Sequence, residues 1–129
     1  MKTLLVCAQD IRTWSLGVVE EGKLVHERYF DTAPEEYLKG LDETLAMWQL
    51  APTDFSAVAV VAGPGAFTAS RVSIVMANAF AFASAIPVIP LENAQRLSLA
   101  DLAVSLPSTR SVYAIPVYDR EPNITQASK

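Results

Sequence analysis

Residues 55–85, FSAVAVVAGPGAFTASRVSIVMANAFAFASA, constrain the fold of this chain more than any other stretch. The run AVAVVA (57–62) lacks polar alternation, the pattern of a strand covered on both faces. Two glycines and a proline (Gly63, Pro64, Gly65) then turn the chain into a segment, 67–85, that is apolar on nearly every side of a helical wheel. Strand and helix are both too apolar to face water, so the fold must place layers on both sides of a sheet. A chain of 129 residues at 51% hydrophobic has enough apolar surface for one domain built that way.

The flanking segments supply those layers. TLLVCA (3–8), TWSLGVVE (13–20) and KLVHERYF (23–30) read as three strands in hairpin order, with Gly22 in the second turn. In residues 34–50, Tyr37, Leu38, Leu41, Thr44, Leu45 and Trp48 share one arc of a 3.6-residue period, which predicts a helix. Thr32 and Glu35 have capping-box spacing, and Pro34 suits a first turn. PVIPL (87–91) predicts a strand, 92–106 a third helix and 110–118 a last strand. Residues 1–118 then form one α/β lobe, a mixed sheet with helices packed on it, and residues 119–129 a polar tail.

Charge and composition exclude several functions. A net charge of −4 and no basic cluster argue against a direct grip on nucleic acid. One cysteine, Cys7, within the apolar LLVCA, fits a buried thiol in a reducing compartment, and one Cys with one His makes no metal cluster. The start, MKTLLVCAQD, lacks a signal-sequence pattern, and Arg71, Ser70, Ser73 and Asn78 break the longest apolar helix. The chain is expected in the cytoplasm, with no membrane span, metal or cofactor.

The glycine turn leaves two roles open. A helix starting near Phe67 presents free N–H groups and a positive dipole end, which suit a phosphate. Against that, no Lys follows Gly65 and no G-x-G-x-x-G is present, so the turn can equally serve only to aim the helix. By local rules Gly63, before a proline, is expected extended, and Gly65 to take positive φ. On the helix, Ser70, Ser73, Ala77, Ala81 and Ser84 form a stripe of small residues that allows close approach of a second helix. That second helix is either the chain's own, 34–50, or a partner's.

The stretch GPGAFTASRVSIVMANAFAFASAIPVIPLENAQRLS resembles the glycine-rich signature and following helix of the TsaB (YeaZ) family. Gly63, Pro64, Gly65, Phe67, Thr68 and Arg71 match that motif turn position for position, and Ile86 and Pro87 match the end of the helix. The first hairpin, with Ser15, and the ending PVYDREPNIT, through Pro116, Tyr118, Arg120 and Pro122, are similar to the family's as well. The resemblance implies an actin-like (ASKHA, ribonuclease H-like) fold and a role in N6-threonylcarbamoyladenosine synthesis at tRNA position 37. In that role the chain would be the non-catalytic partner of a TsaD-like subunit, alongside a TsaE-like ATPase, and a homodimer when alone. Its interface would be the helices 34–50 and 67–85, with Tyr37, Leu41, Trp48, Ser73, Met76, Ala77 and Phe80 as partner-binding residues, and the turn would orient the second helix. The chain departs from the family at Ala8, where an acid is usual, at APEEYLKG, at Ala69 and Ser73 in place of glycines, and in lacking most of a second lobe. Two alternatives stand beside this one: a small actin-like ATP-binding enzyme or regulator using the GPG turn, and a stand-alone homodimer.

Overall fold

The computed structural model describes residues 1–107 and 110–115. Strands β1 (Lys2–Cys7), β2 (Trp14–Glu20) and β3 (Lys23–Phe30) precede helix α1 (Tyr37–Trp48); β4 (Phe55–Gly63), α2 (Phe67–Ser84), β5 (Val88–Glu92) and the short α3 (Leu99–Val104) follow. The sheet runs β3-β2-β1-β4-β5. The first three strands are antiparallel neighbours, joined between β2 and β3 by a tight turn with Glu21 and Gly22 at positive φ. Each of β4 and β5 lies parallel to the neighbour before it, with Val60 opposite both Val6 and Pro90.

Alternation along the strands builds two cores. Leu4, Val6, Leu16, Val18, Val58 and Val60 pack with α1 and α2 on one face, while Leu5, Ala57, Ala59, Val61, Ile89 and Leu91 pack with Leu99, Leu102 and Ala103 of α3 on the other. The unbroken apolar run of β4 is thereby explained: it lies between β1 and β5 with both faces covered.

Three expectations need correction. Thr32 does not cap a helix; its Oγ1 accepts a 2.8 Å hydrogen bond from Trp14 Nε1, and the chain enters α1 through a 3-10 turn at Pro34–Glu36 with no side-chain cap. Trp14 stacks on Phe30 at 4.1 Å and against Tyr37 at 4.5 Å, so burying the indole with its N–H satisfied outweighs the cap. The third helix is far shorter than 92–106. Asn93 Oδ1 accepts from Leu97 N at 2.8 Å and its Nδ2 donates to Leu97 O at 3.1 Å, so a side-chain turn replaces the helical ladder until Ser98 caps α3. Of the last predicted strand, the described part 110–115 pairs with β5 only through Ser111 and Val88. Asn78 of α2 explains why: its amide donates to Ala114 O and accepts from Ala114 N, drawing the segment toward the helix. Residues 116–118 of that strand and the tail 119–129 lie outside the described residues.

Candidate functional site

The turn between β4 and α2 takes a form that local rules did not predict. Gly63 carries the positive φ, +131°, and the Gly63–Pro64 peptide is cis, whereas Gly65 has no positive φ. The need for glycine at Gly65 is steric: a Cβ there would lie 2.8 Å from both Cα and O of Gln9. Gly63 is held in place by its carbonyl, which accepts from Asn93 N at 2.8 Å while the strand is still paired. Gln9 therefore sits against the turn, and its carbonyl takes the N–H of Ala66, the residue preceding the first turn of α2, at 2.7 Å. The N–H of Ala66 is thereby taken up within the chain.

Beyond the turn, α1 and α2 enclose an open groove of about 840 Å³. Its walls are largely apolar, from Tyr37, Leu38, Leu41 and Leu45 on one side to Val72, Val75, Met76, Ala79 and Phe80 on the other, with Glu35, Asp42 and Arg71 as charged members. Leu38 and Val75 are 65% and 67% exposed, and Phe82, farther along α2, is 86% exposed. These exposed side chains leave apolar surface on two adjacent helices open to water. Thr68 also lines the groove, and the Arg71 guanidinium lies over the Phe67 ring, 5.1 Å from its centre.

The seven expected partner-binding residues divide into three groups. Tyr37, Leu41, Met76 and Phe80 line the groove, the first three of them largely buried as its floor. Ser73 and Ala77 are buried beneath α2, so the small-residue stripe faces the chain's own sheet rather than a free surface. Trp48 stacks on His26 of β3 at 5.0 Å, away from the groove. Leu38, Val75 and Phe82 were missed as candidates. The signal that could have found them is the opposite side of the α2 wheel: once Ser70, Ser73 and Ala77 face the sheet, Val75 and Phe82 must face out.

The mouth of the β1–β2 hairpin forms a smaller hollow of about 350 Å³, lined by Cys7, Gln9, Asp10, Ser15, Tyr29 and Arg96 among others. Burial pushes the Cys7 thiol up to about 11, so it is neutral at physiological pH. Burial likewise raises the Tyr37 phenol to about 12, and its hydroxyl has no hydrogen-bond partner among the described residues. Ala8, fully buried, brings no carboxylate to this end of β1. Among the described residues, no group of His, Cys, Asp and Glu is arranged to hold a metal ion, and no helix is long and apolar enough to cross a membrane.

Comparison with known proteins places this geometry in a family. Residues 34–109 match the family model described as TsaD: tRNA N6-adenosine threonylcarbamoyltransferase. The chain is 32% identical over 114 residues to the tRNA threonylcarbamoyladenosine biosynthesis protein TsaB of Haemophilus influenzae, an alignment covering 87% of this chain and 48% of that protein. It thus spans about half the length of that relative. Among solved structures, YeaZ from Pseudomonas aeruginosa superposes with a TM-score of 0.62 at 24% identity, over 70% of this chain and 43% of that one. Thermus thermophilus RuvC superposes with a TM-score of 0.50 at 21% identity, over 74% of this chain and 66% of that one. The two structural likenesses speak for the fold, and the family model speaks for descent. The chain belongs to the TsaD-type family that its residues 34–109 match, is similar to TsaB over about half of that protein's length, and has the actin-like, ribonuclease H-like α/β fold.

Proposed function

We propose that this protein is a non-catalytic partner subunit in the synthesis of threonylcarbamoyladenosine on tRNA, and that it binds a TsaD-like subunit through the α1–α2 groove. The observation that carries this reading is the exposed apolar lining of that groove, with Leu38 and Val75 each about two-thirds exposed on two helices that meet along it. Apolar surface of this kind gains free energy when a partner removes it from water, roughly 25 cal/mol per Å² before the costs of association are set against it. Tyr37, Leu41, Met76 and Phe80 form the receiving wall, and Ser73 and Ala77 serve by seating α2 closely on β4. Trp48 acts at one remove, by holding the end of α1 against His26.

The chemistry of the transfer is assigned to the partner. The chain offers no metal cluster among its described residues, and Gln9 packs against the glycine turn. The same face can pair with a second copy when no partner is present, since one patch repeated about a two-fold axis is self-complementary. Calorimetric titration of the chain with the TsaD-like subunit of its own organism tests the reading, using Val75→Glu as the variant. Wild-type binding that the carboxylate abolishes, with an unchanged melting temperature, is the expected result. Equal affinity of wild type and variant would remove the groove from consideration, and Mg-ATP binding by the chain alone would favour a nucleotide-handling role instead.

A further inference from the structure

Three segments that are distant in sequence meet at Gln9: the end of β1, the turn before α2 and the end of β5. The Gln9 amide is fully used there. Its Nε2 donates to Pro64 O at 2.7 Å and to Asn93 O at 2.9 Å, while Oε1 accepts from Asn93 Nδ2 at 3.1 Å. The main-chain carbonyl of Gln9 accepts from Ala66 N at 2.7 Å, and Asn93 N donates to Gly63 O at 2.8 Å. Gln9 and Asn93 are only 6% and 2% exposed, so water does not compete for these bonds.

The way α2 contacts the sheet gives this network its importance. The buried side of the helix is mostly small, Ala69, Ser70, Ser73, Ala77 and Ala81, which permits close approach to the sheet, with Ile74 and Met76 as its large members. Ala66, at the head of the helix, makes no side-chain cap. The Gln9–Asn93 network ties down the entry to α2, while Ile74, Met76 and Phe80 seat the rest of the helix on the core. A helix of 18 residues is about 27 Å long, so a 5° tilt at the anchored end moves the other end by roughly 2 Å. The same tilt would shift Val75 and Met76, near the middle of the helix, by about 1 Å and Phe80 by somewhat less than ~2 Å against Leu38 and Leu41 across the groove.

We infer that Gln9 and Asn93 form a clamp that fixes the direction of α2 and thereby the shape of the partner-binding groove, with Gln9 as a positioning residue. The inference rests on the groove being the partner site, and it is separable from that reading by experiment. Gln9→Met keeps the side-chain length and removes both donors and the acceptor; Asn93→Ala removes the one clamp bond made by the Asn93 side chain, Nδ2 to Gln9 Oε1, and leaves its main-chain bonds. Each is compared with wild type and Val75→Glu by thermal melting, by amide hydrogen exchange along α1 and α2, and by calorimetry with the TsaD-like subunit. The clamp variants are expected to stay folded, to exchange faster in the first two turns of α2 but not in α1, and to bind the partner at least tenfold more weakly. Val75→Glu should lose binding with wild-type exchange. Clamp variants with wild-type exchange and wild-type affinity would overturn the inference. If Val75→Glu binds normally, the groove reading fails, and exchange in α2 alone still decides whether the clamp holds the helix. Should Gln9→Met not fold, Gln9→Leu, which removes the same three hydrogen bonds, carries the same two measurements, and wild-type values there would be equally decisive against it.

Discussion

Gly65→Ala is the smallest change that bears on how the turn works. The added methyl would lie 2.8 Å from Gln9 Cα, 2.8 Å from Gln9 O and 3.0 Å from Gln9 Cβ, all well inside van der Waals contact. Two of these atoms are main chain, and Gln9 is held by its own hydrogen bonds to Pro64, Asn93 and Ala66, so no flexible side-chain end can yield. Overpacking a close-packed site costs about 1–3 kcal/mol, and a backbone neighbour puts this position at the upper end, about 2–3 kcal/mol. With an unfolding entropy of about 2.1 cal/mol/K per residue, a chain of this size loses roughly 4 °C of melting temperature per kcal/mol, so a fall of about 8–12 °C is expected. Calorimetric melting of Gly65→Ala beside Gly22→Ala is the assay. A Cβ at Gly22 meets nothing within 4 Å, although φ is +77° there, so that control should lose only about 1 kcal/mol from strain. A Gly65→Ala protein melting within about 2 °C of wild type would refute the claim that Gln9 packs against the turn.

Other expectations follow from burial and charge. Ala77→Phe should destabilise the fold itself, by at least 1–3 kcal/mol in a thermal melt, because Ala77 is 1% exposed beneath α2; loss of partner binding at wild-type stability would instead put this residue at the interface. Cys7, raised by burial from 9.0 to about 11, should react with iodoacetamide at pH 8 roughly a hundredfold more slowly in the folded chain than in denaturant. The sign for stability follows: the unfolded thiol ionises first as pH rises, so the contribution of Cys7 is intact below about pH 9 and falls away towards pH 11, which melting across that range would register. Arg96→Ala breaks an ion pair with Asp10 at 2.9 Å whose side chains are 47% and 60% exposed, so its stability cost should stay under about 1 kcal/mol by denaturant titration.

Much of the fold was legible because short-range patterns sufficed for it. The β-rich runs of β1 and β2, the alternation of β3, the two-sided apolar run at 57–62, the 3.6-residue period of α1 and the all-round apolar wheel of α2 each report what a segment must bury, and the sheet satisfies them together. The GPGAFTASR stretch carried the family in the same way, since its residue types and spacing are present in the chain before it folds. Neighbours distant in sequence decided the rest. Thr32 has the local signature of a cap, yet Trp14, eighteen positions earlier, claims its hydroxyl. Gly65 needs to be glycine because of Gln9, and Asn93 stops a helix by turning on Leu97 while it holds Gln9. The small stripe on α2 suited either a sheet or a partner helix; only packing on β4 turned Ser73 and Ala77 inward and left Val75 and Phe82 facing water. Periodicity tells that a helix has a buried side, and the direction of that side is set by which surface reaches it first in three dimensions.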